Sequence, residues 1–114
     1  MEPIWDFAQR TYAAPGFAEA ALRLQDNHGA DVCVLLWLLW RDAQGCPATP
    51  EEIDQVEPLI GPWRRAVIEP LRTARRAMKN IPGAETLRAR VQSLEIEAER
   101  TALERLATIT PASA

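Results

Sequence analysis

The chain has 114 residues, of which 47% are hydrophobic and 25% charged, with a pI near 5.2 and a net charge of −3. A chain of this length forms one globular domain that buries about two-thirds of its unfolded surface, so no metal or disulfide is needed for folding, and its acidic balance argues against general nucleic-acid binding. The charge is uneven: residues 1–57 hold three Arg against ten acidic residues, 64–90 hold seven Arg and one Lys against Glu69 and Glu85, and 91–114 hold two Arg against four Glu.

The opening Met1-Glu-Pro-Ile-Trp lacks the basic start and apolar run of a secretory signal, so no signal peptide is expected. Pro and Gly then divide the chain into segments that all read as helix. The first spans about Pro3 to Ala13, with Trp5, Ala8 and Tyr12 on one stripe. A second, about Phe17 to Asn27, places Phe17, Ala21 and Leu24 inward and stops at Gly29. Asp31 is a natural N-cap for a third, Val32 to Ala43. Its first nine residues, Val32 to Trp40, are uninterruptedly apolar. That is too short to span a bilayer, which takes about 20 such residues. Apolar on every face, it is expected at the centre of a bundle.

Thr49-Pro50-Glu51-Glu52 has the form of a capping box, opening a short helix to about Ile60. Gly61-Pro62 is expected to reset the chain. A fourth long segment follows from Pro62 to Lys79, striped by Trp63, Val67, Leu71, Ala74 and Met78, with a kink expected at Pro70. The last helix spans about Ala84 to Ala107, with Leu87, Val91, Leu94 and Ala98 predicted inward. The fold expected is an all-α, single-domain bundle of about five helices with a Pro-kinked fourth long segment, a domain over residues 2–109 and a frayed tail over 110–114.

Few residues suggest chemistry. Ser93 and Ser113 sit in no nucleophile motif, and His28 is the one histidine, so a Ser/His/Asp triad has no base to spare. Cys33 and Cys46 form no C-x-x-C; Cys33 lies in the apolar run and behaves as a small hydrophobe. Reduced thiols and a cytoplasmic location are the default. One histidine and no H-E-x-x-H leave no metal centre, and no glycine-rich phosphate loop is present, so no cofactor is expected.

The feature above background is a basic face. Arg72, Arg75, Arg76 and Lys79 recur at i, i+3, i+4, i+7, and Arg64 and Arg65 extend the series. So dense a row of cations needs anions nearby. Glu95 and Glu99, one turn apart on the last helix, are the internal candidates; an acidic partner or small anion is the external one. A second polar concentration, Gln25-Asp-Asn-His-Gly-Ala-Asp31, marks the corner between the second and third helices. Gln25, Asp26 and Asp31 stand there beside an apolar helix. Trp5, Trp37, Trp40 and Trp63 read as core units, or as the lining of a ligand groove.

The order of these signals resembles one family. The stretches Trp5-Asp6-Phe7-Ala8, Leu22-Arg23-Leu24-Gln25-Asp26, Gly29-Ala30-Asp31-Val32, Trp63-Arg64, Pro70-Leu71-Arg72, Arg75-Arg76, and Glu95 with Glu99 are similar to the proteobacterial "domain of unknown function 2390" family, over about residues 4 to 106. The family pattern has Asn where Cys33 stands. The resemblance implies a small cytoplasmic helical protein and supplies no catalytic residues.

The expected function is a non-enzymatic interaction or accessory module that presents a charged helical surface to a protein partner or a second copy of the chain. The alternative is a binding protein for a small anionic or amphipathic ligand, using the basic helix face beside a Trp-lined groove. In either case the surface residues are Arg72, Arg75, Arg76, Lys79, Gln25, Asp26 and Asp31. A weaker alternative is an enzyme built on Gln25, Asp26 and Asp31.

Overall fold

A computed structural model describes residues 2–111, and within them every regular element is helical. They are α1 (Ile4–Tyr12), α2 (Phe17–His28), α3 (Val32–Ala43), the single turn α4 (Pro50–Ile53), α5 (Val56–Trp63), a π-helical segment (Arg64–Ile68), α6 (Glu69–Ala77) and α7 (Glu85–Leu106). Because α5, the π segment and α6 follow without a break, the bundle has five long rods and one short turn. Residues 112–114 of the tail expected to fray lie outside the described residues.

The local signals act as their chemistry requires. Gly29 ends α2 at φ +63°, a left-handed conformation open to glycine, and its N–H donates to the Gln25 carbonyl. Thr49 and Glu52 complete the capping box, with the Glu52 N–H donating to Thr49 Oγ1 at 3.2 Å and the Thr49 N–H to Glu52 Oε1 at 2.9 Å.

Glu52 has a second task. It is buried against Arg41 at the end of α3, whose Nη2 donates to Glu52 Oε1 at 2.8 Å and whose Nε donates to the Cys46 carbonyl at 2.8 Å. Both side chains are 2% exposed. The Arg41 guanidinium also lies over the Trp37 ring.

The core gathers Ile4, Phe7 and Ala8 of α1, Cys33, Leu36, Trp37 and Trp40 of α3, Ile60 and Ile68, and Ala98, Ala102, Leu103 and Leu106 of α7. Trp37 and Trp40 are buried, while Trp5 and Trp63 pack partly buried at its edge. Trp63 Nε1 donates to the Ala98 carbonyl and Trp40 Nε1 to that of Glu2, both at 2.9 Å.

Three expectations need correction. The chain turns at Asp54–Gln55 and is not reset at Gly61-Pro62, since Gly61 and Pro62 both lie inside α5. A Cβ at Gly61 would meet Glu57 Oε2 at 2.6 Å and Arg65 Nη1 at 3.2 Å, the tips of two exposed side chains that would have to move aside. The kink expected at Pro70 is present: the turn just before it, Arg64–Ile68, takes the wider π winding, where the ring has no N–H to give and crowds the carbonyl four residues back.

The inward faces also differ. Leu24, Leu87 and Leu94 are 41%, 56% and 50% exposed, while Glu95 is 5% exposed. The arginines of α6 need a carboxylate at that position, which turns Glu95 inward and Leu94 to water. Finally, α3 is fully covered on one side only: Cys33, Leu36, Trp37 and Trp40 are buried, whereas Val32, Val34, Leu35 and Leu38 are partly buried.

Candidate functional site

The partly covered side of α3 forms the wall of a cleft of about 700 Å³. Val32, Val34, Leu35 and Leu38 supply its apolar lining together with Ile53, Val56 and Ile68. Gln25, Asp31, Glu57, Arg64, Glu69, Arg72 and Glu99 supply its polar lining.

At one end, Asp31 caps α3. Its Oδ1 accepts from the N–H groups of Cys33 at 2.8 Å and Val34 at 3.4 Å, while Oδ2 accepts from Arg64 Nε. Arg64 also donates through Nη1 to Glu57 Oε1 at 2.6 Å. Burial works against the Arg64 cation, but Glu57 and Asp31 outweigh it and hold its pKa above the usual value. One guanidinium in the π segment thus ties the start of α3 to α5.

Beside the cleft, Glu95 of α7 collects the arginines of α6. Its Oε1 accepts from Arg75 Nε at 2.5 Å, and its Oε2 from Arg72 Nε at 3.2 Å and Arg75 Nη2 at 3.4 Å. One turn on, Glu99 has a single loose cation, Arg72 Nη2 at 3.8 Å. Burial, reinforced by neighbouring Glu95 and by Asp31, pushes the Glu99 carboxyl up to about 7 despite Arg72 and Arg75. The Cys33 thiol faces the Glu99 carbonyl at 3.8 Å, and burial raises its pKa well above the ordinary value, so it is a poor nucleophile.

The two polar concentrations picked out in the sequence meet here. Arg76 Nη2 donates to Asp26 Oδ1 at 3.2 Å. With its amide oxygen turned toward the arginines, Gln25 accepts from Arg72 Nε and Arg76 Nη2, both at 3.3 Å. Gln25, Asp26, Arg72, Arg75 and Arg76 are therefore linked, Arg75 by way of Glu95, whereas Asp31 is tied to Arg64 instead. Lys79 stands apart, exposed beyond the end of α6.

No tryptophan lines this cleft. Trp5 and Trp40 line a separate hollow of about 510 Å³ with Arg100 and Glu104, so the basic face and the Trp groove are two places rather than one. Sequence reasoning missed Glu99 as a lining residue, the double role of Arg64, and the Arg41–Glu52 pair. For the last, the one available signal was an arginine placed directly after nine apolar residues. Among the described residues, no group of three or more His, Cys, Asp or Glu side chains is arranged to hold a metal ion.

A family model described as protein of unknown function (DUF2390) matches residues 3–106. The chain belongs to this family. The match takes in α1 through α7, and so every residue of the DUF2390 cleft described above. No curated protein and no solved structure matches the chain. No helix among the described residues is long and apolar enough to cross a membrane.

Proposed function

We propose that the protein is a non-enzymatic binding module whose ligand, a small amphipathic molecule, occupies the cleft beside α3. The observation that carries this reading is the mismatch on that helix: it is apolar on every face, yet Val32, Val34, Leu35 and Leu38 are only partly buried where they line the cleft. Leaving Val34, Leu35 and Leu38 against water forgoes about 25 cal/mol for each Å² of apolar surface. A ligand that covers them recovers that energy. A volume of about 700 Å³ falls in the range of small-ligand sites, which run to roughly 300–1,000 Å³, and an apolar wall with few polar groups is their usual lining. The arginines of α6 are engaged by Glu95 and Asp26, which argues against a bare basic face offered to an acidic partner.

Nile red, a neutral dye that brightens in apolar surroundings, tests the reading. It should bind with one site per chain, and Leu38→Arg should abolish binding while leaving the far-UV spectrum unchanged. Equal binding by Leu38→Arg, or none by wild type, overturns it.

A second reading, interaction with a protein or with a second copy of the chain, draws support from a different observation. Leu22 and Leu24 on α2, with Leu87, Leu94 and Ile96 on α7, are 41–56% exposed. Sedimentation equilibrium of wild type and Leu94→Glu tests it: self-association lost in the variant supports it, and a monomer in both excludes a second copy.

A further inference from the structure

We infer that the ligand of the α3 cleft carries a cationic, ammonium-type head that pairs with Glu99, its hydrocarbon body lying against Val34, Leu38 and Ile53. This rests on the cleft reading above and adds the sign of the ligand's charge.

The cleft is lined by four carboxylates, Asp31, Glu57, Glu69 and Glu99, and two guanidiniums, those of Arg64 and Arg72. Both cations are already committed. Arg64 serves Asp31 and Glu57, and Arg72 serves Glu95, which does not line the cleft. A carboxylate ligand would therefore find no free cation and an excess of negative charge. An ammonium finds Glu69, which has no ion pair among the described residues, and Glu99, whose one cation among them stands at 3.8 Å.

The contrast with Glu95 shows why Glu99 is the receiver. Glu95 is 7% exposed at its side chain and accepts three hydrogen bonds, so nothing from the cleft reaches it. Glu99 is 27% exposed, lines the cleft, and has lone pairs to spare. The groups facing it are Glu95 on its own helix, Arg72 and Arg75 on α6, and Asp31 and Cys33 on α3, with Arg64 across the cleft from the π segment.

Near neutral pH, Glu99 holds a proton part of the time, because burial and Glu95 disfavour its anion. Entry of an ammonium favours the anion. The Glu99 O–H bond breaks, the proton leaves to solvent, and the ion pair takes its place, so charge in the cleft is conserved. Binding should then tighten with rising pH until Glu99 is fully ionised.

Three eight-carbon probes that differ in the head separate the possibilities: octylammonium, octanoate and 1-octanol, each titrated into the 15N-labelled protein and followed by amide shifts. At pH 8 octylammonium should shift the amides of Cys33 to Leu38 and of Glu99, with a Kd at least tenfold below those of octanoate and octanol. Its affinity should fall about tenfold by pH 6, and Glu99→Gln should both weaken it about tenfold and flatten that dependence. Ile53→Lys, at an exposed position of the wall, should weaken octylammonium without disturbing the fold. If octanoate or octanol shifts the same amides as strongly as octylammonium, the cationic assignment fails and the cleft reading stands. If no probe shifts them, the cleft reading fails, and this inference with it.

Discussion

Helix α3 has an arginine at one end and an aspartate at the other, and the two ends treat charge in opposite ways. At the C-terminal end, Arg41 and Glu52 are sealed, each 2% exposed, in a buried pair that the Cys46 carbonyl and the Thr49 N–H extend. At the N-terminal end the charges are shared in an open network bordered by a cleft: Arg64 serves Asp31 and Glu57, and beside it Arg72 and Arg75 serve Glu95, with Arg72 reaching Glu99. The sealed pair can only be whole or broken, so it specifies the fold. The open network has one loosely held member, Glu99, and so can change protonation or take a new partner without unfolding the bundle.

The sharpest way to break this comparison is at the sealed end. Glu52→Gln leaves the Arg41 cation buried without its counter-ion, and should cost about 3–5 kcal/mol in a urea melt; a loss below 1 kcal/mol would make the two ends alike. Glu95→Gln removes the acceptor shared by Arg72 and Arg75, which keep a route to water, and about 2 kcal/mol is expected by the same measurement. Asp31→Ala deletes the N-cap of α3 and one partner of Arg64. A cap is worth about 1 kcal/mol, and Glu57 still holds Arg64, so the loss should stay near that figure.

The smallest effect is the most telling. The folded-state pKa of Glu99 lies above its ordinary value, so the native state binds the proton more tightly than the unfolded chain does. Stability from this group is complete at low pH and is lost as pH rises toward about 7. Glu99→Gln should therefore melt like wild type at pH 5 and be more stable at pH 8, by about 1 kcal/mol after allowance for solvent screening. Equal melts at pH 8 would place Glu99 in the same settled class as Glu95.

Much of this was legible in the chain. The boundaries of α2 and α3 were marked by Gly29 and Asp31, and the helix at Pro50 by Thr49 and Glu52, because caps and left-handed glycines are local events. The neutralisation of Arg72 and Arg75 by Glu95 could be anticipated from spacing alone, since four cations within two turns demand anions. What could not be read depends on which surfaces meet. Leu87, Leu94 and Glu95 have similar claims to the inward face of α7 until α6 is placed beside it. The run Val32 to Trp40 was read as buried because it is apolar, but hydrophobicity reports a preference, and only packing decides which side is met. The Arg41–Glu52 pair joins residues whose meeting depends on the path of the intervening loop.

The π segment has a consequence for alignment. A π turn carries one residue more than the α turn it replaces, and each residue of an α-helix advances about 100° around the axis. The five residues Arg64–Ile68 therefore act as a phase shift between two halves of a single rod. Before it, Ile60 and Trp63 face the core; after it, Arg72 and Arg75 face Glu95. Deleting one residue there would leave a smoother helix and an unaltered composition, yet would rotate both arginines about a quarter-turn away from their carboxylate. Within this rod, the spelling of the residues matters less than the count.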